Sequence, residues 1–116
     1  MPRRPQRSSD LTALDGWRQT LARLSASGAP DLTNRQLALL LTVFLDEGPH
    51  TVRALAMSLG LPKPAVTRAL DRLSELRFLK RKADSADRRS VVIHRRVRGA
   101  VFLTDLADSI RRPGRR

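Results

Sequence analysis

The sequence predicts a mainly α-helical domain with a small β-hairpin, an α+β fold, on three observations. Two short amphipathic helical patterns follow each other closely after Thr51 and are separated by a turn at Gly60. Two short β-branched or alternating segments, 78–82 and 90–95, come next, with a polar tip between them. The formal net charge is +12 over 116 residues, and much of the excess lies on these parts. Helix, turn, helix and basic hairpin in this order are the components of a winged helix-turn-helix.

The second of the two helices opens at Lys63 and places Val66, Leu70 and Leu73 at i, i+4 and i+7, the spacing of a buried stripe. At about 100° per residue, the opposite face of this helix is left to solvent. A helix that exposes an arginine and a threonine near its N-terminus can contact base edges in the major groove of DNA. The candidate DNA-contacting residues of this helix are Lys63, Pro64, Thr67, Arg68 and Arg72.

The alternative interpretation of these residues is an ordinary solvated helix face. For Pro64 the alternative is helix initiation, since its missing N–H is not needed in the first turn. Arg72 either holds a phosphate or pairs with Glu75 or Asp71. We expect Asp71 to orient Arg68 or Arg72, because a carboxylate that faces a phosphate is unfavourable.

The basic excess is concentrated on the helix-turn-helix and the hairpin. From Arg53 to Arg98 there are 13 basic and 4 acidic residues, a net charge of +9. Such a distribution is typical of a protein that binds a polyanion. The three basic residues of the first hairpin strand either contact backbone phosphates or protect an edge strand from pairing. The two arginines at the tip either contact DNA or keep the tip soluble. These five residues are Lys80, Arg81, Lys82, Arg88 and Arg89.

The composition excludes several classes of protein. Without cysteine there is no disulfide, thiol redox sensor or thiolate metal site. No apolar run approaches the ~20 residues of a membrane span, and no secretion signal is present. His50, expected in a loop, and His94, expected in a strand, have neither a candidate nucleophile nor an ordered carboxylate beside them. We therefore expect no enzyme activity, cofactor, metal site or membrane association, and a cytoplasmic location.

The chain is expected to divide into five segments. A disordered basic arm occupies 1–8, a helix for dimerisation 9–28, the winged helix-turn-helix 31–98, a second helix for dimerisation 99–111 and a basic tail 112–116. The two extra helices carry apolar residues at helical spacing that have no obvious place in a small winged-helix core. They are expected to pack together, either within one chain or across two. The residues of this seam are Leu14, Trp17, Leu21, Leu24, Phe102, Leu106 and Ile110.

The helix before the helix-turn-helix has a clear beginning. Thr33 and Gln36 have the spacing of a capping box, and Thr51 is expected to cap the helix that follows. The apolar residues of this helix predict burial almost all round over two turns, which would place it at the centre of the domain. They are Leu37, Leu40, Leu41, Phe44 and Leu45.

Three motifs in the right order resemble the multiple-antibiotic-resistance-regulator (MarR) family of bacterial winged-helix transcription factors. Residues 32–36 carry Leu-Thr-x-x-Gln, residues 55–73 carry the helix-turn-helix, and residues 84–89 carry Asp-x-x-Asp-Arg-Arg, which resembles the wing signature. The resemblance covers roughly 32–99. It implies that Arg89, or second Arg88, enters the minor groove while Asp87 fixes the wing.

The chain departs from the family pattern at three places. Arg77 stands where the family usually has a glycine, and a left-handed conformation there would cost about 1–2 kcal/mol. Arg95 and Arg96 replace the usual Leu-Thr. Only 17 residues follow Gly99, which leaves room for one short helix instead of two long ones. The usual dimer geometry and small-molecule pocket are therefore not expected, and an effector is not predicted.

The function predicted first is a transcriptional regulator that binds duplex DNA as a homodimer, because a palindromic operator requires a two-fold symmetric protein. The alternative is a small architectural or accessory DNA-binding protein of phage or mobile-element type, which the high net charge also favours. A winged helix used as a protein–protein module is a third possibility. RNA binding lacks support, because aromatic residues make up 3% of the chain and offer no stacking platform.

Overall fold

The structure is a computed structural model that describes residues 4, 6–87 and 89–112. Parts of the predicted basic arm and tail, and Arg88 at the hairpin tip, lie outside the described residues. The described residues form five helices and three strands, which confirms the mainly α fold with a β-hairpin. The elements are α1 Ser8–Ala26, α2 Asn34–Leu45, β1 His50–Thr51, α3 Val52–Leu59, α4 Lys63–Glu75, β2 Leu79–Ala83, β3 Val91–Arg95 and α5 Val97–Arg111.

The chain divides into two units. One is continuous, Leu32–Leu103, and holds α2 to β3 with the first half of α5. The other combines Met1–Asp31 with Thr104–Arg116, and so holds α1 and the second half of α5. The C-terminal boundary between the two units falls inside α5.

Both predicted helix caps of the larger unit are present. The Thr33 side chain accepts a hydrogen bond from the Gln36 main-chain N–H at 3.1 Å, and the Gln36 amide oxygen accepts one from the Thr33 N–H at 2.9 Å. The Thr51 hydroxyl accepts from the Ala54 N–H at 3.1 Å. Each cap satisfies donors that the helix itself leaves unpaired.

Helix α2 is buried or half-buried on all sides over two turns, residues 36–44, as its apolar run predicted. Leu39, Leu40 and Val43 are fully buried, whereas 76% of Leu45 is exposed. The helix contacts α3, α4 and β3. The prediction fails only at Leu45, the last residue of the helix, which is exposed.

The small sheet has the order β1-β3-β2, with both pairs antiparallel. Strand β1 was not predicted: His50, expected in a loop, pairs with Ile93 and is 8% exposed. Its Nε2 atom lies 3.0 Å from the main-chain oxygen of Asp46. The sequence missed this strand because two residues are too few for alternation to be visible.

Two left-handed residues mark the turns of the helix-turn-helix and hairpin. Gly60 ends α3 at φ 64°, and the Leu61 N–H donates to the Ala56 carbonyl at 3.0 Å. Arg77, between α4 and β2, has φ 62°, and the N–H of the following Phe78 donates to the Leu73 carbonyl at 2.9 Å. The substitution of arginine for the family's glycine therefore left the turn geometry in place, at a cost of about 1–2 kcal/mol.

The core of the larger unit lies between α2, α3, α4 and the sheet. The predicted stripe of α4 is fully buried, with Val66, Leu70 and Leu73 at 0% exposure. Phe78 and Phe102 close the core with ring centroids 4.9 Å apart. Phe102 was expected at a dimer seam, and the structure corrects this: the first half of α5 packs its phenylalanine into the winged-helix core.

The smaller unit is held by polar contacts as well as apolar ones. The Arg23 guanidinium of α1 donates to the main-chain oxygens of Ser109 and, at 2.7 Å, of Arg112 at the end of α5. A cation at the C-terminus of a helix also interacts favourably with the helix dipole. Thr20 is buried and its hydroxyl donates to the Gly16 carbonyl at 3.0 Å. Arg23 thereby fixes α1 against the end of α5.

Candidate nucleic-acid interface

Helix α4 presents the surface that the sequence predicted. Its buried residues recur at helical spacing, so the remaining residues form one solvent-facing side. Pro62 precedes the helix and Pro64 lies in its first turn, where their missing N–H groups cost no hydrogen bond. No acidic residue occupies that first turn, which leaves the positive end of the helix uncompensated. The exposed residues on this side include Lys63, Pro64, Thr67 and Arg68.

The basic and acidic residues farther along α4 are arranged differently from the prediction. Asp71 was expected to orient Arg68 or Arg72; instead its carboxylate accepts a hydrogen bond from the Arg81 guanidinium at 2.6 Å. Arg72 is half-buried and forms no salt bridge with any described residue. The Asp71–Arg81 pair joins α4 to β2 and keeps Arg81 turned towards the helix.

The three basic residues of β2 do not form a single surface. Successive side chains of a strand point to opposite faces, so Arg81 lies on the face towards α4 while Lys80 and Lys82 lie on the other. All three are exposed, and β2 is an edge strand of the sheet. Both predicted roles, phosphate contact and protection of an edge strand, are compatible with this arrangement.

The hairpin tip is organised by two aspartates. The Asp84 carboxylate accepts from the Ala86 N–H at 2.9 Å. The Asp87 carboxylate accepts from the Arg89 main-chain N–H at 3.0 Å and from the Ser90 hydroxyl at 3.3 Å. Asp87 thus fixes the backbone that carries the exposed Arg89. Arg88, the second candidate for the minor groove, lies outside the described residues.

The predicted seam residues are partly exposed and partly buried. On α1, Leu14 is 53% exposed, Trp17 44% and Leu21 44%, and Leu24 is half-buried. On α5, 57% of Ile110 is exposed, but Phe102 and Leu106 are buried within the single chain. The structure therefore corrects the expectation that Phe102 and Leu106 lie at a surface between subunits. Leu11, which was not predicted, is 51% exposed on α1 and extends the apolar face.

Arg95 has a role that the sequence did not reveal. Its Nε donates to the Val43 carbonyl at 2.8 Å and a terminal nitrogen donates to the Asp46 carbonyl at 3.1 Å. The guanidinium also lies 5.7 Å from the centre of the Phe44 ring. Arg95 thus caps the C-terminal end of α2. The sequence offered one indication of this role, because Arg95 and Arg96 replace the Leu-Thr that the resemblance leads one to expect.

Neither histidine takes part in a candidate site. His50 is buried against Asp46, and His94 is exposed on β3. Among residues 4, 6–87 and 89–112, no group of three His, Cys, Asp or Glu side chains is placed to hold a metal ion. The helices of this part of the chain are too short or too polar to span a bilayer.

Comparison with known proteins agrees with the fold. The family model described as MarR family matches residues 30–90, more than half of the chain. No curated protein sequence matches the chain. Among solved structures, the transcriptional regulator Tm0710 from Thermotoga maritima is similar at 24% identity, with a TM-score of 0.69 over 84% of this chain and 66% of that one.

Two other similar structures contain DNA. One is a mutant of MepR from S. aureus bound to an oligodeoxyribonucleotide, with 18% identity and a TM-score of 0.73 over 84% of this chain and 70% of that one. The other is the transcriptional repressor CouR bound to a 23-mer DNA duplex, with 21% identity and a TM-score of 0.68 over 89% of this chain and 70% of that one. This chain thus spans about two thirds of the length of these proteins. With the winged helix-turn-helix in place and more than half of the sequence matched, the chain belongs to the MarR family of winged-helix transcriptional regulators.

Proposed function

We propose that this protein regulates transcription by binding duplex DNA as a homodimer in the bacterial cytoplasm, at the nucleoid. The recognition helix α4 enters the major groove, and Arg89 at the hairpin tip enters the adjacent minor groove. The function is regulatory, not catalytic. The observation that carries the proposal is the solvent-facing side of α4, where Lys63, Thr67 and Arg68 stand beside an uncompensated positive helix end.

The chemistry of this side of α4 suits base contact. An arginine can donate two hydrogen bonds to guanine, and a threonine can contact several base edges. Lys63, in the first turn, supports a phosphate contact, because lysine is a compact charge on a flexible stem. Two similar structures were solved with DNA, which supports DNA as the partner of this chain.

The hairpin supports a minor-groove contact by Arg89. Its main-chain N–H is held by Asp87, so the tip does not have to be ordered when DNA binds. A narrow minor groove concentrates negative potential and attracts an inserted arginine without reading much sequence. Arg89 therefore adds affinity, while α4 adds specificity.

The exposed apolar face of α1 supports the homodimer. Leu11, Leu14, Trp17 and Leu21 are each 44–53% exposed, which is unusual for large apolar side chains clustered on one helix. A second copy of the chain can cover this face through a two-fold axis. The two recognition helices would then contact half-sites about 10 bp apart, or a multiple of that spacing.

Selection of bound DNA from a random duplex library at fixed salt, with the mass of the protein in solution measured beside it, tests the proposal. A palindromic site with half-sites one helical turn or a multiple of it apart, bound by a species of twice the chain mass, is the expected result. Uniform recovery of all duplexes would remove the claim of sequence specificity.

A small architectural or accessory DNA-binding protein is the second candidate. The net charge of +12 and the basic residues on both faces of β2 favour it, because diffuse charge binds any duplex. The same library selection distinguishes the two functions. A specificity ratio above about 10³ between one site and random duplex would argue against the architectural role.

A further inference from the structure

A basic cavity lies at the base of the hairpin. Its volume is about 410 Å³, which is in the range of small-molecule sites. Five of its six lining residues are cationic and none is acidic. We call it the wing-base cavity, and its lining residues are Arg77, Lys80, Arg95, Arg96, Val97 and Arg98.

Four of these cations have no partner of opposite charge among the described residues. Arg95 is an exception, because its guanidinium is bound to two carbonyls at the end of α2. The salt bridges of the described residues involve none of the other four. Like charges around so small a space repel each other, and the repulsion is strongest at low salt. All five cationic side chains are exposed, so solvent screens this repulsion, and a bound anion would reduce it further.

The backbone adds positive potential at the same place. Helix α5 begins at Val97, and the N-terminus of a helix carries a partial positive charge that favours acidic neighbours. The first turn of α5 contains no acidic residue; it contains Arg98, and Arg96 immediately precedes it. Arg77 adds a further cation from a left-handed position that a glycine would occupy at lower cost. Cavity shape, unpaired charge and helix end thus all favour an anion.

The cavity is lined from both faces of the hairpin, and no residue of α4 lines it. Arg81 points towards α4, where it pairs with Asp71. Lys80, one residue earlier on the strand, points to the opposite face and lines the cavity. Arg95, whose register partner is Leu79, enters the cavity from the same face as Arg81, so the cavity lies at the base of the hairpin and not on the exposed side of α4.

We propose that the wing-base cavity binds a small anion that carries two or more linked phosphate groups. A single-charged anion is insufficient for four unpaired cations, whereas a di- or triphosphate supplies several charges on adjacent groups. Phosphate oxygens accept charge-assisted hydrogen bonds from arginine and lysine in the geometry that these side chains favour. Lys80, Arg96 and Arg98 are the main ligands, and Arg77 closes the site. This site is independent of the proposed DNA-binding function.

The test is a titration of the full chain with inorganic triphosphate, without DNA and at constant ionic strength, followed by calorimetry and thermal unfolding. Saturable binding and a rise in the unfolding temperature are expected for the unmodified protein. The variant Lys80→Gln with Arg98→Gln should weaken binding by at least about tenfold. The control variant Arg35→Gln with Arg53→Gln removes the same charge from exposed positions on α2 and α3, and should weaken binding by less than about twofold.

Three outcomes would overturn the proposal. Binding that does not saturate, or that falls equally in both variants, would mean that diffuse charge alone attracts the anion. Unchanged triphosphate binding in the Lys80→Gln with Arg98→Gln variant, combined with weaker DNA binding and a salt slope reduced by about 2, would assign the cavity to the DNA backbone. None of these three outcomes would contradict the regulatory function proposed above, since that proposal depends on α4.

Discussion

At the scale of single residues, close backbone contacts restrict the residue type at some positions. At others, the chemistry of an exposed side chain determines its proposed role. A Cβ atom at Gly99 would lie 2.5 Å from the Phe78 carbonyl oxygen and 3.0 Å from the Phe44 ring, so the start of α5 can approach the core only through a glycine. Gly16 in α1, by contrast, has nothing within 4 Å of the same point. Substitution by alanine is therefore expected to change the free energy of unfolding in opposite directions at these two glycines.

Gly99→Ala should lower the free energy of unfolding by about 1–3 kcal/mol, because the backbone carbonyl cannot move aside as a flexible side chain can. Gly16→Ala should raise it by roughly 0.5–1 kcal/mol, because alanine restricts the unfolded chain and suits a helix interior. Urea unfolding followed by circular dichroism measures both. A neutral Gly99→Ala variant would contradict the packing described for α5.

Arg68→Ala and Arg89→Ala should separate specificity from affinity. Loss of Arg68 is expected to relax discrimination at one or two base pairs and to cost roughly 1–3 kcal/mol there, because we propose that its guanidinium contacts base edges. Loss of Arg89 should weaken all duplexes alike and reduce the salt slope by about 1, because its contact depends on groove potential. Binding measured over a set of single-base operator variants at several salt concentrations tests this. Equal, sequence-independent losses in both variants would show that α4 does not read the sequence.

At the scale of elements, the hairpin is positioned by its own polar contacts and by one ion pair. Asp87 holds the tip, and the Asp71–Arg81 pair joins β2 to α4. Because the pair is partly exposed, it contributes at most about 1 kcal/mol to stability. Its main effect is to hold Arg81 against α4, while the alternation of the strand places Lys80 on the opposite face.

Asp87→Ala should weaken DNA binding even though it removes a negative charge. The Arg89 main-chain N–H and the Ser90 hydroxyl lose their acceptor. DNA binding must then order this backbone, and the entropy cost of that ordering lowers the affinity. Asp105→Ala, an exposed position on α5, removes the same charge and should leave binding unchanged or slightly stronger. Asp87→Asn keeps a side-chain acceptor and should retain most of the affinity.

Equilibrium binding to one duplex at fixed salt is the measurement, with the free energy of unfolding determined for each variant. If Asp87→Ala strengthened binding as much as Asp105→Ala, charge alone would account for the wing and the positioning role would be wrong. A similar free energy of unfolding in all three variants is expected, since the tip is exposed.

At the scale of the whole molecule, the exposed apolar face of α1 is the surface on which the proposed homodimer depends. The exposed residues of α1 are held on a helix that Arg23 anchors to the end of α5. They are therefore presented on a fixed element and are available to a second copy of the chain.

Trp17→Ser combined with Leu14→Ser should convert the dimer to a monomer without unfolding the chain, because about half of each side chain is already exposed. Affinity for a full palindromic site should fall towards that for a half-site, since the second recognition helix is no longer linked. Met57→Ser on α3 removes an apolar side chain that is 80% exposed, and should leave the mass unchanged. Sedimentation equilibrium measures the mass, and a dimer that survived the α1 changes would place the interface elsewhere.

The features of this protein that depend on residues close together in the chain were determined by the sequence alone. The capping box at Thr33, the cap at Thr51, the turn at Gly60 and the buried stripe of α4 were all predicted, because each depends on residues within a few positions of one another. The solvent-facing residues of α4 followed from the same helical period. The left-handed position of Arg77 followed from the family resemblance.

Only the tertiary structure decided what depends on contacts distant in sequence. Phe102 packs against Phe78, and Arg95 donates hydrogen bonds to carbonyl oxygens at the end of α2. Asp71 pairs with Arg81 of β2 and not with an arginine of its own helix. Helical or strand periodicity states which residues share a face, but not which element lies opposite that face. The wing-base cavity arises for the same reason, because its cations come from a turn, a strand and a helix start that only folding brings together.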